Sequence, residues 1–136
     1  METKNNKFEK INSILTLCVA TLSLLVAIKT CRIMFEIYSM QYEDIQKQNK
    51  INNALYEGDL QFEIGNWKNA CRQYSIADSL GSPDKRGYIK FWSKAYEEAS
   101  RFNDSITHPN ACLFFDYANQ LYPTKEVDEI IEKCDE

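Results

Sequence analysis

Residues that could carry out catalysis are few in this chain. His108 is the only histidine, and acid–base or nucleophilic catalysis commonly depends on a histidine beside a second polar group. Serine and aspartate residues occur, but their spacing does not indicate a triad, and the chain has no glycine-rich phosphate loop. We therefore expect no enzyme activity, no catalytic residue and no cofactor, and we interpret His108 as a packed side chain.

The five cysteines are the other reactive groups. They form no CxxC pair and show no metal-ligand spacing, so the sequence predicts no metal site. Cys71 and Cys112 each follow an Asn-Ala dipeptide, which indicates small packing residues with free thiols, as in a reducing compartment. Disulfides are the alternative, although equivalent positions in stacked units can lie too far apart to be bridged.

The Asn-Ala-Cys stretches belong to a longer internal repeat, because residues 69–80 return as residues 110–121. Small and apolar residues recur in both copies at the spacing of one helical face. These residues are Ala70, Tyr74, Ala77 and Leu80 in the first copy, and Ala111, Phe115, Ala118 and Leu121 in the second. The chain therefore contains two copies of one supersecondary unit.

With its flanking residues, each copy resembles a tetratricopeptide repeat. The first copy matches that pattern at Gly58, Gly65, Trp67, Ala70, Tyr74, Ala77 and Pro83, and the second at Ala95, Ala99, Phe102, Ala111, Phe115, Ala118 and Pro123. The second copy departs from the pattern at Ile106, where the turn glycine is expected, and at His108, where an aromatic residue is usual. The copies are offset by 41 residues, against roughly 34 in the family, and we place the surplus at residues 81–88.

An apolar run precedes the repeats. Residues 11–28 contain no charge and match the minimal length of a bilayer span. A cleaved signal peptide, which would leave a secreted helical domain, and a soluble helix are the alternatives. Lys29 and Arg32 follow the run directly and no small-x-small cleavage site appears, which favours an uncleaved anchor. Small residues spaced along one face predict a transmembrane packing face for self-association: Thr16, Ala20, Ser23 and Ala27.

These patterns predict an all-α protein: an N-terminal transmembrane helix, then a short tetratricopeptide-like antiparallel helical array with a C-terminal capping helix. We divide the chain into a polar tail (1–10), a transmembrane helix (11–28), a juxtamembrane helical linker (29–50) and a helical domain (51–136). Within the domain we place repeats at 51–83 and 85–123 and the capping helix at 125–134. The third helix is expected to open at Ser82-Pro83-Asp84.

The charge of the chain limits which partners it can have and indicates its location. The net charge of −4 excludes a typical nucleic-acid binder. Residues 1–50 hold seven Lys/Arg against five Asp/Glu and the remainder nine against fifteen, as expected of a membrane-anchored acidic domain. We predict a single-pass protein of a bacterial inner membrane, with its domain in the cytoplasm because the thiols are expected to be free and because Lys29 and Arg32 lie beside the span on that side.

The resemblance implies that the first helix of each repeat lines a groove for a peptide or partner helix. By position, that groove holds Asn52, Leu55, Asp59, Phe62 and Glu63, then Ser93, Tyr96, Ser100, Asn103 and Asp104. Its acids and aromatics favour a basic or amphipathic protein segment. The predicted function is a membrane-anchored adaptor or scaffold. The alternative is a structural subunit of a membrane complex, with the groove covered by the linker helix or a second subunit.

Overall fold

The computed structural model describes residues 2–103 and 105–135, with side chains from Lys7 onward. Within these residues the protein is all-α, as predicted, and contains no strand. The helices are α1 (Glu2–Glu63), α2 (Trp67–Ser79), α3 (Arg86–Arg101), α4 (Pro109–Leu121) and α5 (Lys125–Cys134). The chain divides into two compact units, Met1–Ile45 and Gln46–Glu136, and each is described by itself.

The first unit is helical throughout its described length. Every side chain described from Lys7 to Ile45 is exposed, including the apolar side chains of residues 11–28. Apolar residues lie on all sides of this segment, whereas a helix on the surface of a globular protein has one apolar stripe. By length and composition, this helix could cross a membrane.

The second unit has a single core, to which the two sequence repeats contribute equivalent faces. In α2 the buried residues include Ala70, Tyr74 and Ala77, and in α4 they include Ala111, Phe115 and Ala118. Helix α3 fills the space beside them with Phe91, Ala95 and Ala99, each at most 2% exposed. Residues that recur in the two sequence repeats therefore occupy equivalent buried positions in α2 and α4.

Tyr74 shows why small residues recur. A Cβ atom placed on Gly58 of α1 would lie 2.7 Å from Cε1 of the Tyr74 ring, and one on Gly87 of α3 would overlap the base of the same ring. Both glycines are buried. Because neither has a side chain, both helices come into direct contact with the ring, which is 3% exposed.

Two helix starts agree with the sequence and one differs. Pro109 is the first residue of α4, and Thr124 caps α5 by accepting a hydrogen bond from the backbone N–H of Val127 at 3.3 Å. The predicted start of α3 at residues 82–84 is wrong, because α3 begins at Arg86. The Ser82 and Asp84 side chains instead accept backbone N–H groups two residues ahead, which stabilises a turn.

The surplus residues of the second repeat lie partly in a different loop from the predicted one. Residues 64–66 join α1 to α2, whereas residues 102–108 join α3 to α4. Gly65 has a φ of +78° in the short turn, and Asn103 has a φ of +58° in the long one. Asparagine is among the few residues that adopt this conformation readily, so Asn103 takes the role expected of a glycine.

A disulfide joins the last two helices and corrects the expectation of free thiols. Cys112 at the start of α4 is bonded to Cys134 at the end of α5, with Cα atoms 6.0 Å apart. Cys18, Cys31 and Cys71 are free. The expectation depended on the equivalent positions Cys71 and Cys112, which are not bonded to each other. The apolar face of α5 packs instead against α4 and brings Cys134 to Cys112.

Candidate partner-binding surface

Asp59, one of the predicted groove acids, is neutralised within the domain. Its carboxylate accepts a hydrogen bond from the Tyr74 hydroxyl at 2.7 Å. It also pairs with Arg86 and Lys90 of α3, each at 3.0 Å. Lys90 lies 3.4 Å from Glu63, the second predicted acid. The ion pairs therefore connect α1 to α3, and both acids already have basic partners.

The pKa of Asp59 reflects this environment. Burial alone would raise the pKa of the carboxyl group. Hydrogen bonds from Tyr74, Lys90 and Arg86 together lower it by more than burial raises it, so the pKa lies below its ordinary value. The group is ionised at neutral pH and held by three donors. Asp59 is thus better suited to joining α1 to α3 than to attracting a basic ligand.

The other predicted residues of α1 differ in exposure. Leu55 is 6% exposed and belongs to the core, so it offers a partner little surface. Phe62 is half-buried and packs edge-on against Trp67 and Phe91. Asn52 and Glu63 are exposed. The groove residues predicted on α1 therefore serve largely in packing and pairing.

The residues predicted on α3 lie on one exposed face. Ser93, Tyr96 and Ser100 are exposed, and the helical spacing places Ile89 and Trp92 beside them. We call these five residues the α3 surface. Ile89 is 57% exposed and Tyr96 40% exposed. Asn103 is exposed in the following turn, and Asp104 lies outside the described residues.

An aromatic row extends the α3 surface towards α4. The Trp92 and Tyr96 rings lie 5.3 Å apart and rest on Phe115 of α4 at 5.3 and 5.4 Å between centroids. Tyr88 continues the row, 5.7 Å from Trp92 and 5.6 Å from Tyr122. Tyr88, Ile89 and Trp92 are not among the residues predicted from the sequence. The spacing of four residues between successive aromatics of α3 was a signal for them.

A polar cleft lies between α2 and α4. It is lined by Lys68, Asn69, Cys71, Arg72, Ser75, Asp116, Tyr117 and Gln120. The Cys71 thiol donates weakly to the Tyr117 carbonyl and the Gln120 side chain, both at 3.8 Å. Burial, with a smaller effect of Asp116, raises the pKa of the thiol to about 11. At neutral pH this cysteine is therefore a poor nucleophile.

His108 caps α4. Its Nδ1 accepts a hydrogen bond from the backbone N–H of Asn110 at 3.2 Å. Its ring is stacked on Phe102 with 3.5 Å between centroids. These contacts explain why a histidine occupies the position at which the repeat pattern has an aromatic residue. Among the described residues, no cluster of three or more His, Cys, Asp or Glu side chains is arranged to hold a metal ion.

The small-residue face of the first unit is exposed along its length. The Thr16 hydroxyl donates to the Asn12 carbonyl and the Ser23 hydroxyl to the Val19 carbonyl, at 2.8 and 2.9 Å. Ala20 and Ala27 complete this face. Because both hydroxyl groups donate within their own helix, the face is compact and does not need a polar partner.

Comparison of the chain with protein-family models, with curated proteins and with solved structures finds no match. The tetratricopeptide resemblance therefore depends on the residue pattern and on the packing described above.

Proposed function

We propose that this protein is a membrane-anchored, tetratricopeptide-like module that binds a segment of another protein through the α3 surface. The observation that carries the proposal is the exposure of Ile89 and Tyr96 beside Trp92. Large apolar and aromatic side chains that the fold leaves exposed together are typical of protein interfaces, and tryptophan and tyrosine often dominate binding energy there.

The repeat packing supports the tetratricopeptide interpretation. A buried aromatic of the second helix contacts small residues of the helices before and after it, as Tyr74 contacts Gly58 and Gly87. In such an array the first helices of successive repeats form the inner surface. Helix α3 is the first helix of the second repeat, so its exposed face is where a partner segment would bind.

The apolar helix supports anchoring by residues 11–28. Its side chains are exposed on all sides, and their burial in lipid would remove a large apolar surface from water. We further propose that the domain lies on the oxidising side of the membrane. The Cys112–Cys134 disulfide favours such a compartment, and the cytoplasmic prediction depended on thiols that are not all free.

Site-specific photo-crosslinking in the native membrane tests binding through this surface. A photoreactive amino acid at Ser93 of the full-length chain should give a crosslink to a protein of defined mass, and Tyr96→Ala should weaken it. The same group at exposed Ser75 of α2 is the matched control and should not give that product. Equal products from both positions, or none from Ser93, would contradict the proposal.

The side of the membrane has its own test. In a chain whose free, exposed Cys18 and Cys31 are replaced by serine, Ser93→Cys should react with a membrane-impermeant maleimide in intact cells, whereas Thr3→Cys should react only after lysis. The reverse result would place the domain in the cytoplasm. The outcome does not affect the crosslinking experiment, which reports on partner binding alone.

A further inference from the structure

The polar cleft between α2 and α4 is not part of the α3 surface. Its volume is 570 Å³, within the range of about 300–1,000 Å³ that is typical of sites for small molecules. The buried Cys71 thiol lies at the junction of the two helices, where it contacts the Tyr117 carbonyl and the Gln120 side chain. The cleft is therefore a concave site whose two sides come from successive repeats.

The α2 side of the cleft carries two cations that the domain does not pair. Lys68 and Arg72 are exposed and lie one helical turn apart. In the part of the chain that the structure describes, no carboxylate lies within 4.0 Å of the nitrogen atoms of either side chain. By contrast, every Lys and Arg residue of the segment 85–101 is paired with a carboxylate: Lys85, Arg86, Lys90, Lys94 and Arg101. Both cations of α2 are therefore available to a ligand.

The α4 side of the cleft carries the opposite charge. Asp116 is exposed, and its Oδ2 accepts a hydrogen bond from the Gln120 amide at 2.9 Å. It forms no ion pair with Lys68 or Arg72, although all three residues line the same cleft. The cleft thus has unpaired charges of opposite sign on its two sides. A ligand that carries both charges can pair with both sides at once.

We propose that the cleft binds a small zwitterion, either an amino acid or a short peptide with free termini. The carboxylate of the ligand accepts hydrogen bonds from Lys68 and Arg72, and its ammonium group donates to Asp116. The planar guanidinium group of Arg72 can hold a carboxylate through two parallel hydrogen bonds. Asn69 and Ser75, which also line the cleft, supply polar side chains for peptide groups. This site is separate from partner binding through the α3 surface.

Calorimetric titration of the full-length chain in nanodiscs tests the site. The probes are glycine, diglycine and triglycine, which keep both charges while the distance between them grows. Amidation of a probe removes its negative charge, and N-acetylation removes its positive charge. We expect saturable binding of at least one zwitterion with a Kd below about 1 mM, and binding at least about tenfold weaker when either charge is removed. The zwitterion that binds most tightly shows whether the cleft takes a free amino acid or a peptide.

Matched variants connect binding to the two sides of the cleft. Arg72→Gln should weaken binding of the zwitterion at least about fivefold but leave binding of the amidated probe unchanged. Asp116→Asn should likewise weaken binding of the zwitterion but not of the acetylated probe. Lys125→Gln and Glu129→Gln remove the same charges from exposed positions of α5 and should change binding less than about twofold. Tryptophan fluorescence during unfolding establishes that each variant retains its fold.

Three results would overturn the site: no saturable binding of any of the three zwitterions, equal binding of the amidated or acetylated probe, or equal effects of Arg72→Gln and Lys125→Gln. Loss of affinity on amidation but not on acetylation would overturn the zwitterion and assign the cleft to anions in general. Crosslinking from Ser93 should be unchanged in the Arg72→Gln chain. The two proposals therefore fail separately.

Discussion

At the scale of single residues, the contact between Tyr74 and Gly87 is the most demanding in the domain. An exposed glycine within a helix is normally improved by alanine, because glycine loses more backbone entropy on folding. At Gly87 the added Cβ would overlap the base of the Tyr74 ring, which cannot move away without shifting α2. Steric conflict should therefore reverse the usual sign of this substitution.

We predict that Gly87→Ala lowers the free energy of unfolding by about 1–3 kcal/mol. Denaturant unfolding followed by tryptophan fluorescence measures this change in the full-length chain, because Trp67 and Trp92 are its only tryptophans and both lie in the domain. Ser93→Ala on the exposed face of the same helix is the control and should change stability by less than about 0.5 kcal/mol. A stabilised Gly87→Ala variant would contradict the packing at Tyr74.

The lowered pKa of Asp59 predicts how the stability of the domain depends on pH. Its pKa is lower in the folded domain than its ordinary value of 3.8, so its contribution to stability is present above that value. As the pH falls, the unfolded chain binds a proton first, and the contribution is lost as the pH approaches the folded pKa. Asp59→Asn should cost about 1–2 kcal/mol at neutral pH and flatten the stability curve below pH 3.8.

Unfolding free energies measured over that pH range provide the test. Tyr74→Phe keeps the ring but removes one of the hydrogen bonds that lower the pKa, so its slope should lie between those of wild type and Asp59→Asn. An unchanged slope in Asp59→Asn would mean that other carboxyl groups control acid stability.

Tyr74 and Asp59 also show which contacts could be predicted from the sequence. The repeat pattern identified Gly58 and Tyr74 because both lie within one copy. The pairing of Asp59 was not predictable in this way, because Arg86 and Lys90 come from the next repeat and only the helix packing brings them to α1. The spacing of residues in one repeat therefore does not indicate that Asp59 and Glu63 have basic partners within the domain.

At the scale of helices, α5 is the element that depends most on a single covalent contact. It is ten residues long, a length at which an isolated helix is marginal. Val127 and Ile130 are buried against the core, and the disulfide fixes its C-terminal end to α4. The sequence predicted a capping helix at residues 125–134, but the partner of Cys134 depended on which residue of α4 it faces.

We predict that Cys134→Ser lowers the free energy of unfolding by roughly 3 kcal/mol, from the loop closed by cysteines 22 residues apart. Cys31→Ser leaves this disulfide intact and is the control.

In denaturant without reductant, an alkylating agent should modify three cysteines of the wild type, as counted by mass spectrometry, and all five after reduction. Five modified cysteines before reduction would contradict the disulfide.

At the scale of the whole molecule, the apolar helix and the helical domain were the most predictable parts. Both arise from long, repeated patterns: an uncharged run in one case and a 3.6-residue periodicity in the other. Less predictable were the loops, where the Asn103 turn and the Ser82–Asp84 turn absorb the surplus residues of the second repeat. Side-chain hydrogen bonds to nearby backbone form the Ser82–Asp84 turn, and a positive φ at Asn103 forms the other. Residue spacing alone reveals neither feature.

The open face of the first repeat decides how the domain behaves alone. Tyr56 and Leu60 of α1, and Ile64 directly after the helix, follow one another at intervals of four and are 71%, 45% and 66% exposed. A short repeat array buries little core, so such a face favours association wherever a second copy can cover it. The alternative function, as a structural subunit without a free groove, would use this kind of surface.

We predict that a chain beginning at Gln46 is folded, because the compact unit Gln46–Glu136 has its own core, disulfide and ion pairs; binding of a foreign partner further requires that it be monomeric, and the alternative function that it associate. Sedimentation equilibrium gives its mass, and the full-length chain in detergent is compared with it. If only the full-length chain is oligomeric, Ala20→Leu and Ala27→Leu should reduce assembly through the transmembrane face. A dimeric domain that Leu60→Glu converts to a monomer would instead locate the interface on α1 and favour the structural-subunit function.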